Sequence, residues 1–243
     1  MTKAALTTLT LSFLLTTVFA QKNIYIGIEA AVTHDIYEII DNDGMLLKKG
    51  PIITGYFGFN ARKDFGSNAF VETGLLRKYY NEGVGFKVFS SYSSGTAISC
   101  WLVPVRLGAK INIIKTKLHL IPVIGYTFCI NSDYGYGNGG IGGFSLNSTD
   151  TIYHSTHSNF SLRRNYSLLQ TGLGLEFNIF RTVLISVTAN YYTGFTNVIE
   201  QDINYTHNSS PSYTAVGLSK GEMVGLGVAF KYPINYFFRH SKR

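Results

Sequence analysis

Residues 101–113 read WLVPVRLGAKINI, and every second position is apolar. A strand sends successive side chains to opposite faces. Trp101, Val103, Val105, Leu107, Ala109, Ile111 and Ile113 therefore share one face, and Leu102, Pro104, Arg106, Gly108, Lys110 and Asn112 share the other. The alternation recurs along the chain. Ile24, Ile26, Ile28, Ala30 and Val32 oppose Tyr25, Gly27 and Glu29, and Leu169, Leu173, Leu175 and Phe177 oppose Gln170, Gly172, Gly174 and Glu176. Val183, Ile185 and Val187 oppose Thr182, Leu184 and Ser186, while Val224, Leu226, Val228 and Phe230 oppose Gly225, Gly227, Ala229 and Lys231. The pattern is least regular over residues 117–130, where Ile121 and Val123 fall on the polar side.

This periodicity predicts eight strands, over residues 23–32, 51–61, 68–80, 96–113, 117–130, 165–179, 182–195 and 221–234. Their connections alternate in length. Residues 62–67, 114–116 and 180–181 are short, whereas 35–50, 81–95, 131–164 and 196–220 are long and polar. Short turns at one end and long loops at the other are the habit of outer-membrane barrels, which also turn aliphatics outward and small or polar residues inward. Greek-key wiring of a sandwich does not give that strict alternation. The expected fold is all-β, an eight-stranded antiparallel up-and-down transmembrane β-barrel with both chain ends on one side.

Composition agrees. Charged residues make up 14% of the chain, against about 25% on average. Gly (25), Tyr (17) and Phe (17) are abundant and Pro (5) is scarce, which suits strands joined by tight turns. The first 20 residues carry Lys3, an apolar core over 9–18 and Val18-Phe19-Ala20. They read as a signal peptide cut after Ala20, leaving a barrel domain over 21–243 with a basic tail at 235–243. The net charge of +7 is spread without a dense basic patch. It fits anionic lipid better than nucleic acid.

Aromatics gather near the predicted strand ends. Tyr79, Trp101, Tyr126, Phe128 and Tyr191 are expected at the long-loop rim, and Phe57, Phe59, Phe177, Phe230 and Tyr232 at the short-turn rim. Such belts sit at the two membrane interfaces. Six charges fall on the expected lumen face: Glu29, Glu72, Glu176, Arg106, Lys110 and Lys231. A barrel of this size is filled by its own side chains. The six are therefore expected to pair in a balanced network that plugs the lumen, not to line an open pore or carry catalysis.

A hairpin centred on Ile114-Lys115 sets Cys100 opposite Cys129, Arg106 opposite Val123 and Lys110 opposite His119. The cysteines then form either a disulfide, which an oxidising compartment allows, or two separate buried thiols. Neither pattern suggests a metal or cofactor. His154 and His157 lie in the longest predicted loop without a completing ligand. Gly135–Gly143 lacks the Lys-Ser/Thr ending of a phosphate loop and reads as loop flexibility. His34 is the one candidate for rim chemistry, with no acid or nucleophile identified beside it. N-x-S/T triplets at Asn147, Asn159, Asn165, Asn204 and Asn208 are what Asn-, Ser- and Thr-rich segments produce by chance.

The leader, the Gly27-Ile28-Glu29-Ala30 opening, Leu102-Val103-Pro104-Val105-Arg106-Leu107-Gly108 and Gly172-Leu173-Gly174-Leu175-Glu176-Phe177 together resemble the small outer-membrane β-barrel domains of Bacteroidetes. These are similar in architecture to the OmpA and OmpX barrels. Gly227–Tyr232 resembles the glycine–aromatic signal read by the barrel insertion machinery. The resemblance implies a monomer in the outer membrane, with a structural, adhesive or surface-interaction role carried by its long loops and no enzymatic activity. Two other readings stand beside it: a lipid-modifying barrel enzyme, and a secreted soluble barrel that binds an apolar ligand.

Overall fold

The computed structural model describes residues 24–42, 47–49, 53–80, 83–86, 93–94, 98–114, 117–132, 135–145, 152–179, 183–207 and 211–234. The expected leader, the basic tail at 235–243, Asn147 and Asn208 lie outside the described residues. The wall is built from β1 (Ile24–Asp35), β2 (Ile53–Phe65), β3 (Ala69–Tyr80), β4 (Ile98–Ala109), β5 (Leu118–Asn131), β6 (Asn165–Ile179), β7 (Val183–Gly194) and β8 (Met223–Pro233). Each strand pairs antiparallel with its neighbour in sequence, and β8 pairs back onto β1 from Tyr25↔Pro233 to Asp35↔Met223. The result is a closed eight-stranded antiparallel β-barrel with no free edge in its wall. No helix among the described residues is long and apolar enough to cross a membrane.

Closure sorts the two faces. Ile28, Val32, Phe59, Val105, Leu107, Ile124, Leu173, Leu226 and Phe230 all point outward and are exposed. Residues of the opposite parity, among them Glu29, Thr33, Asn60, Arg106, Gln170 and Glu176, are buried within the barrel. Ile121 is also buried inside, as the irregular pattern of β5 anticipates. A Cβ at Gly58 would lie 2.1 Å from the carbonyl oxygen of Leu75, so β2 and β3 approach closely there because Gly58 has no side chain.

Three features differ from the sequence reading. First, β2 runs to Phe65, four residues past the expected end at Ala61, and turns at Gly66 with φ +64°. The run Arg62-Lys63-Asp64 looks like a polar turn, but its alternation continues: Arg62 and Asp64 are buried and Phe65 is exposed. Second, β4 and β5 pair two residues away from the expected register, with Arg106 opposite Gly125, Cys129 opposite Leu102 and Cys100 opposite Asn131. A short continuation at Ile111–Ile114 sets Asn112 against His119, with a shift at Leu118/His119. Lys110 falls between the two ladders and donates its N–H to Asn68 O at 2.8 Å. A slip of two residues exchanges partners and leaves every side chain on its face.

Third, the long connections contain sheet. Residues 135–145, 152–161, 199–207, 213–219 and 38–40 form a five-stranded sheet in that order, and 47–49, 83–86 and 93–94 form a three-stranded one. Gly135–Gly143 is therefore in a strand and not a flexible loop, and His154 and His157 lie in the strand paired with it. The five-stranded sheet joins the barrel rim directly. Leu162 N–H donates to Val198 O at 2.9 Å, and Ile36 N–H donates to Glu222 O at 2.9 Å.

Replacing Gly58 with alanine is expected to force the β2–β3 ladder apart and lower stability by about 1–3 kcal/mol. The denaturation midpoint of the refolded barrel measures this, and an unchanged midpoint would mean that the close approach is not required.

Candidate functional site

The lumen is filled in layers. Nearest the short-turn end, Arg62 Nε donates to Asp64 Oδ1 at 2.7 Å, and its terminal nitrogens engage Glu176. Lys110 pairs with Asp64. The Arg62 guanidinium also lies 3.6 Å above the Phe70 ring, which occupies the space that a side chain at Gly108 would need. Above this, Arg106 Nη1 donates to Glu29 Oε2 at 2.6 Å and to Glu72 Oε1 at 2.8 Å, while Lys231 pairs with Glu72.

Neutral groups complete this central layer. Arg106 Nε donates to Gln170 Oε1 at 2.9 Å, and Gln170 Nε2 donates to Asn190 Oδ1 at 2.9 Å. Tyr56 OH donates to Glu29 Oε1 at 3.0 Å and meets Tyr192 OH at 3.3 Å. Toward the long-loop end, Lys78 Nζ donates to Asp35 Oδ1 at 2.6 Å, Thr33 Oγ1 at 2.9 Å and Thr54 Oγ1 at 3.0 Å.

The ion pairs join ten side chains. Arg62, Lys78, Arg106, Lys110 and Lys231 supply five cations, and Asp35, Asp64, Glu29, Glu72 and Glu176 supply five carboxylates. All six residues expected from the sequence take part. The other four were missed for separate reasons. Arg62 and Asp64 lie in the part of β2 that resembles a turn, and Asp35 lies past the predicted end of β1. Lys78 was legible, because it shares the parity of Glu72 on a strand already recognised. Charge balance is what a low-dielectric interior demands, since an unpaired buried charge costs several kcal/mol.

Around the Lys78–Asp35 set the upper lumen is largely apolar, contrary to the pattern expected of a barrel interior. Leu76, Leu102, Leu168, Met223, Ile98, Cys100 and Cys129 pack with Tyr80 and Tyr166 into one buried cluster, and Val198 and Ile199 of the 195–222 connection complete it. This apolar plug caps the two lower charged layers and packs beside Lys78, whose Nζ lies 4.4 Å from the Tyr80 ring centre. The cavity among Glu29, Glu72, Arg106, Gln170 and Lys231 has a volume of about 20 Å³, room for roughly one water.

Cys100 and Cys129 are free thiols inside the plug, offset by two residues in the ladder and not opposed. Tyr166 OH donates to Tyr80 OH at 2.7 Å and lies 3.8 Å from Cys100 Sγ. Tyr79, Trp101, Tyr126, Phe128 and Tyr191 are exposed outward, and so are Phe177 and Phe230; Tyr232 is half-buried. Phe57 and Phe59 are exposed too, but Phe57 lies nearer the long-loop start of β2 and Phe59 lies at its middle. Both therefore depart from the expected short-turn belt. Because β2 continues four residues past Ala61, Phe65 takes the rim position.

His34 faces outward between Ile53 and Val224, which offer neither an acid nor a nucleophile. Among the described residues no group of three or more His, Cys, Asp or Glu side chains converges as a metal site.

A closed eight-stranded meander with an apolar exterior and a charged, filled interior is an outer-membrane-type β-barrel. A solved structure agrees on the fold, and two more are similar at lower scores. OprG, an outer membrane protein of Pseudomonas aeruginosa, is 12% identical, with 88% of this chain and 98% of that one covered and a TM-score of 0.50. Ail, the attachment invasion locus protein of Yersinia pestis, is 13% identical over 85% of this chain and 99% of that one, with a TM-score of 0.34. The outer membrane protein AlkL is 12% identical over 88% and 92%, with a TM-score of 0.35. No protein-family model and no curated protein matches the chain.

Two outcomes follow. Arg106→Leu leaves Glu29 and Glu72 without their shared partner and should destabilise the barrel by about 3–5 kcal/mol while still permitting insertion. Urea titration in lipid vesicles measures the change, and an unaltered midpoint would refute the network. Maleimide should label neither cysteine in the folded barrel, and both after unfolding without reductant. A disulfide would leave both unlabelled in each state.

Proposed function

We propose that this protein is an integral, non-enzymatic barrel of a bacterial outer membrane that acts in structure, adhesion or surface interaction. The outward apolar face on a closed barrel carries this reading. It gives lipid a continuous surface and gives water none. The short turns and both chain ends then face the periplasm, and the sheets of the long connections face outward from the cell, where loops on a rigid scaffold carry recognition. The leader at residues 1–20 supplies export, and Gly227–Tyr232 supplies the signal to the insertion machinery. The likeness to small barrels of Bacteroidetes and a monomeric state belong to the same proposal.

The filled lumen supports a non-conducting role. The roughly one-water cavity also leaves no room for an apolar ligand in the charged layers. Cell fractionation with gel electrophoresis tests the proposal. An outer-membrane band that migrates differently before and after boiling is expected, and a soluble periplasmic band would refute it. In planar bilayers the refolded protein should show no steady conductance, and sustained ohmic steps would contradict the sealed lumen.

A further inference from the structure

The outward positions of β1–β8 carry no acid at all, and apart from His34 their charged residues are Lys63, toward the short turns, and Arg77, toward the long loops. Arg77 is unlike the lumen arginines. Its Nη1 donates to Ser132 Oγ and its Nη2 to Ser99 Oγ, each at 2.5 Å. Its guanidinium lies 4.9 Å from the Trp101 ring centre and 5.7 Å from that of Tyr79. Both acceptors are neutral hydroxyls, and a guanidinium has five N–H donors. Among the described residues no carboxylate lies within ion-pair distance of it, whereas Arg62 and Arg106 each engage two.

Two further arginines belong to the same sector. Ser132 follows Asn131, whose N–H donates to Arg164 O at 2.8 Å and whose Nδ2 donates to Arg163 O at 2.7 Å. Both arginines are exposed. The backbone of Arg163 and Arg164 is thus held beside Ser132, the partner of Arg77, at the long-loop rim of β3–β6, above an outward wall that includes Trp101, Tyr126, Phe128 and Leu169. Tyr126 OH is fixed there by Ser167 Oγ.

We propose that Arg77, Arg163 and Arg164 form a seat for the phosphorylated head group of a membrane lipid in the leaflet at the long-loop end, with the aromatic wall against its acyl chains. Guanidinium forks match phosphate oxygens in charge and geometry. Aromatic rings settle at head-group depth, and a long arginine side chain reaches from apolar wall to polar interface. The site rests on the membrane reading above. Its test therefore begins with protein already shown to be folded and heat-modifiable, so a failure of lipid binding is distinct from a failure to form a membrane barrel.

Trp101 is the single tryptophan of the chain, and Arg77 lies over it, so intrinsic fluorescence reports on the seat. Phosphatidic acid is titrated into the barrel in phosphatidylcholine nanodiscs. A saturable change in Trp101 emission is expected, with the half-saturating lipid fraction raised about tenfold in Arg77→Gln. Arg163→Gln/Arg164→Gln, outside the strands, should weaken binding similarly and covers the case in which the first variant folds poorly. Inorganic phosphate at equal concentration should leave the emission unchanged. Equal titrations of wild type and both variants, a response that never saturates, or an equal response to inorganic phosphate would each overturn the proposal.

Discussion

The ladder between β1 and β8 joins the two ends of the meander, and the rest of the structure depends on it. An open sheet would leave two rows of backbone N–H and C=O groups unpaired, at a cost of several kcal/mol for each group in an apolar medium. With Tyr25 to Asp35 paired against Met223 to Pro233, the wall has no edge. Closure also fixes which side of every strand is inside, because alternate residues cannot change sides without a one-residue slip.

What lies inside follows from the small bore. Side chains from facing strands must meet, so buried charges have to find their partners across the lumen. Arg106 solves this by bridging Glu29 and Glu72 while holding Gln170, and Lys231 takes the far side of Glu72. Arg62, Lys110, Asp64 and Glu176 form a second set near the turns, and Lys78 with Asp35 a third. The sets come from strands distant in sequence, so the network ties the barrel across its diameter. Above the first two sets, and beside the third, the apolar plug fills the end that carries the outer sheets.

The fold was legible because eight strands share one simple period, and that period survived errors of length and register. Arg106 points inward whether its partner is Val123 or Gly125. Three of the missed ion-pair members trace to strand ends, where a charged run such as Arg62-Lys63-Asp64 looks alike in a turn and in an alternating strand. Two properties had no signature in the sequence. The apolar plug uses inward Leu76, Leu102 and Leu168, and parity does not say at what height an inward leucine meets another. In the sheets of the long connections, strands such as 135–145 and 152–161 are rich in Gly, Ser, Thr and Asn, whose low hydrophobicity hides any alternation, whereas Ile199, Ile203 and Tyr205 do alternate with polar residues along 199–207.

The inside–outside assignment along β4 is the central claim, because the membrane reading, the charge network and the arginine seat all depend on it. A nitroxide label at each position from 101 to 107, in a Cys100→Ala/Cys129→Ala background reconstituted into vesicles, measures it by collision with oxygen dissolved in lipid. High accessibility at 101, 103, 105 and 107, with low values at 102, 104 and 106, is the expected result. A uniform profile, or one of the opposite phase, would contradict the account.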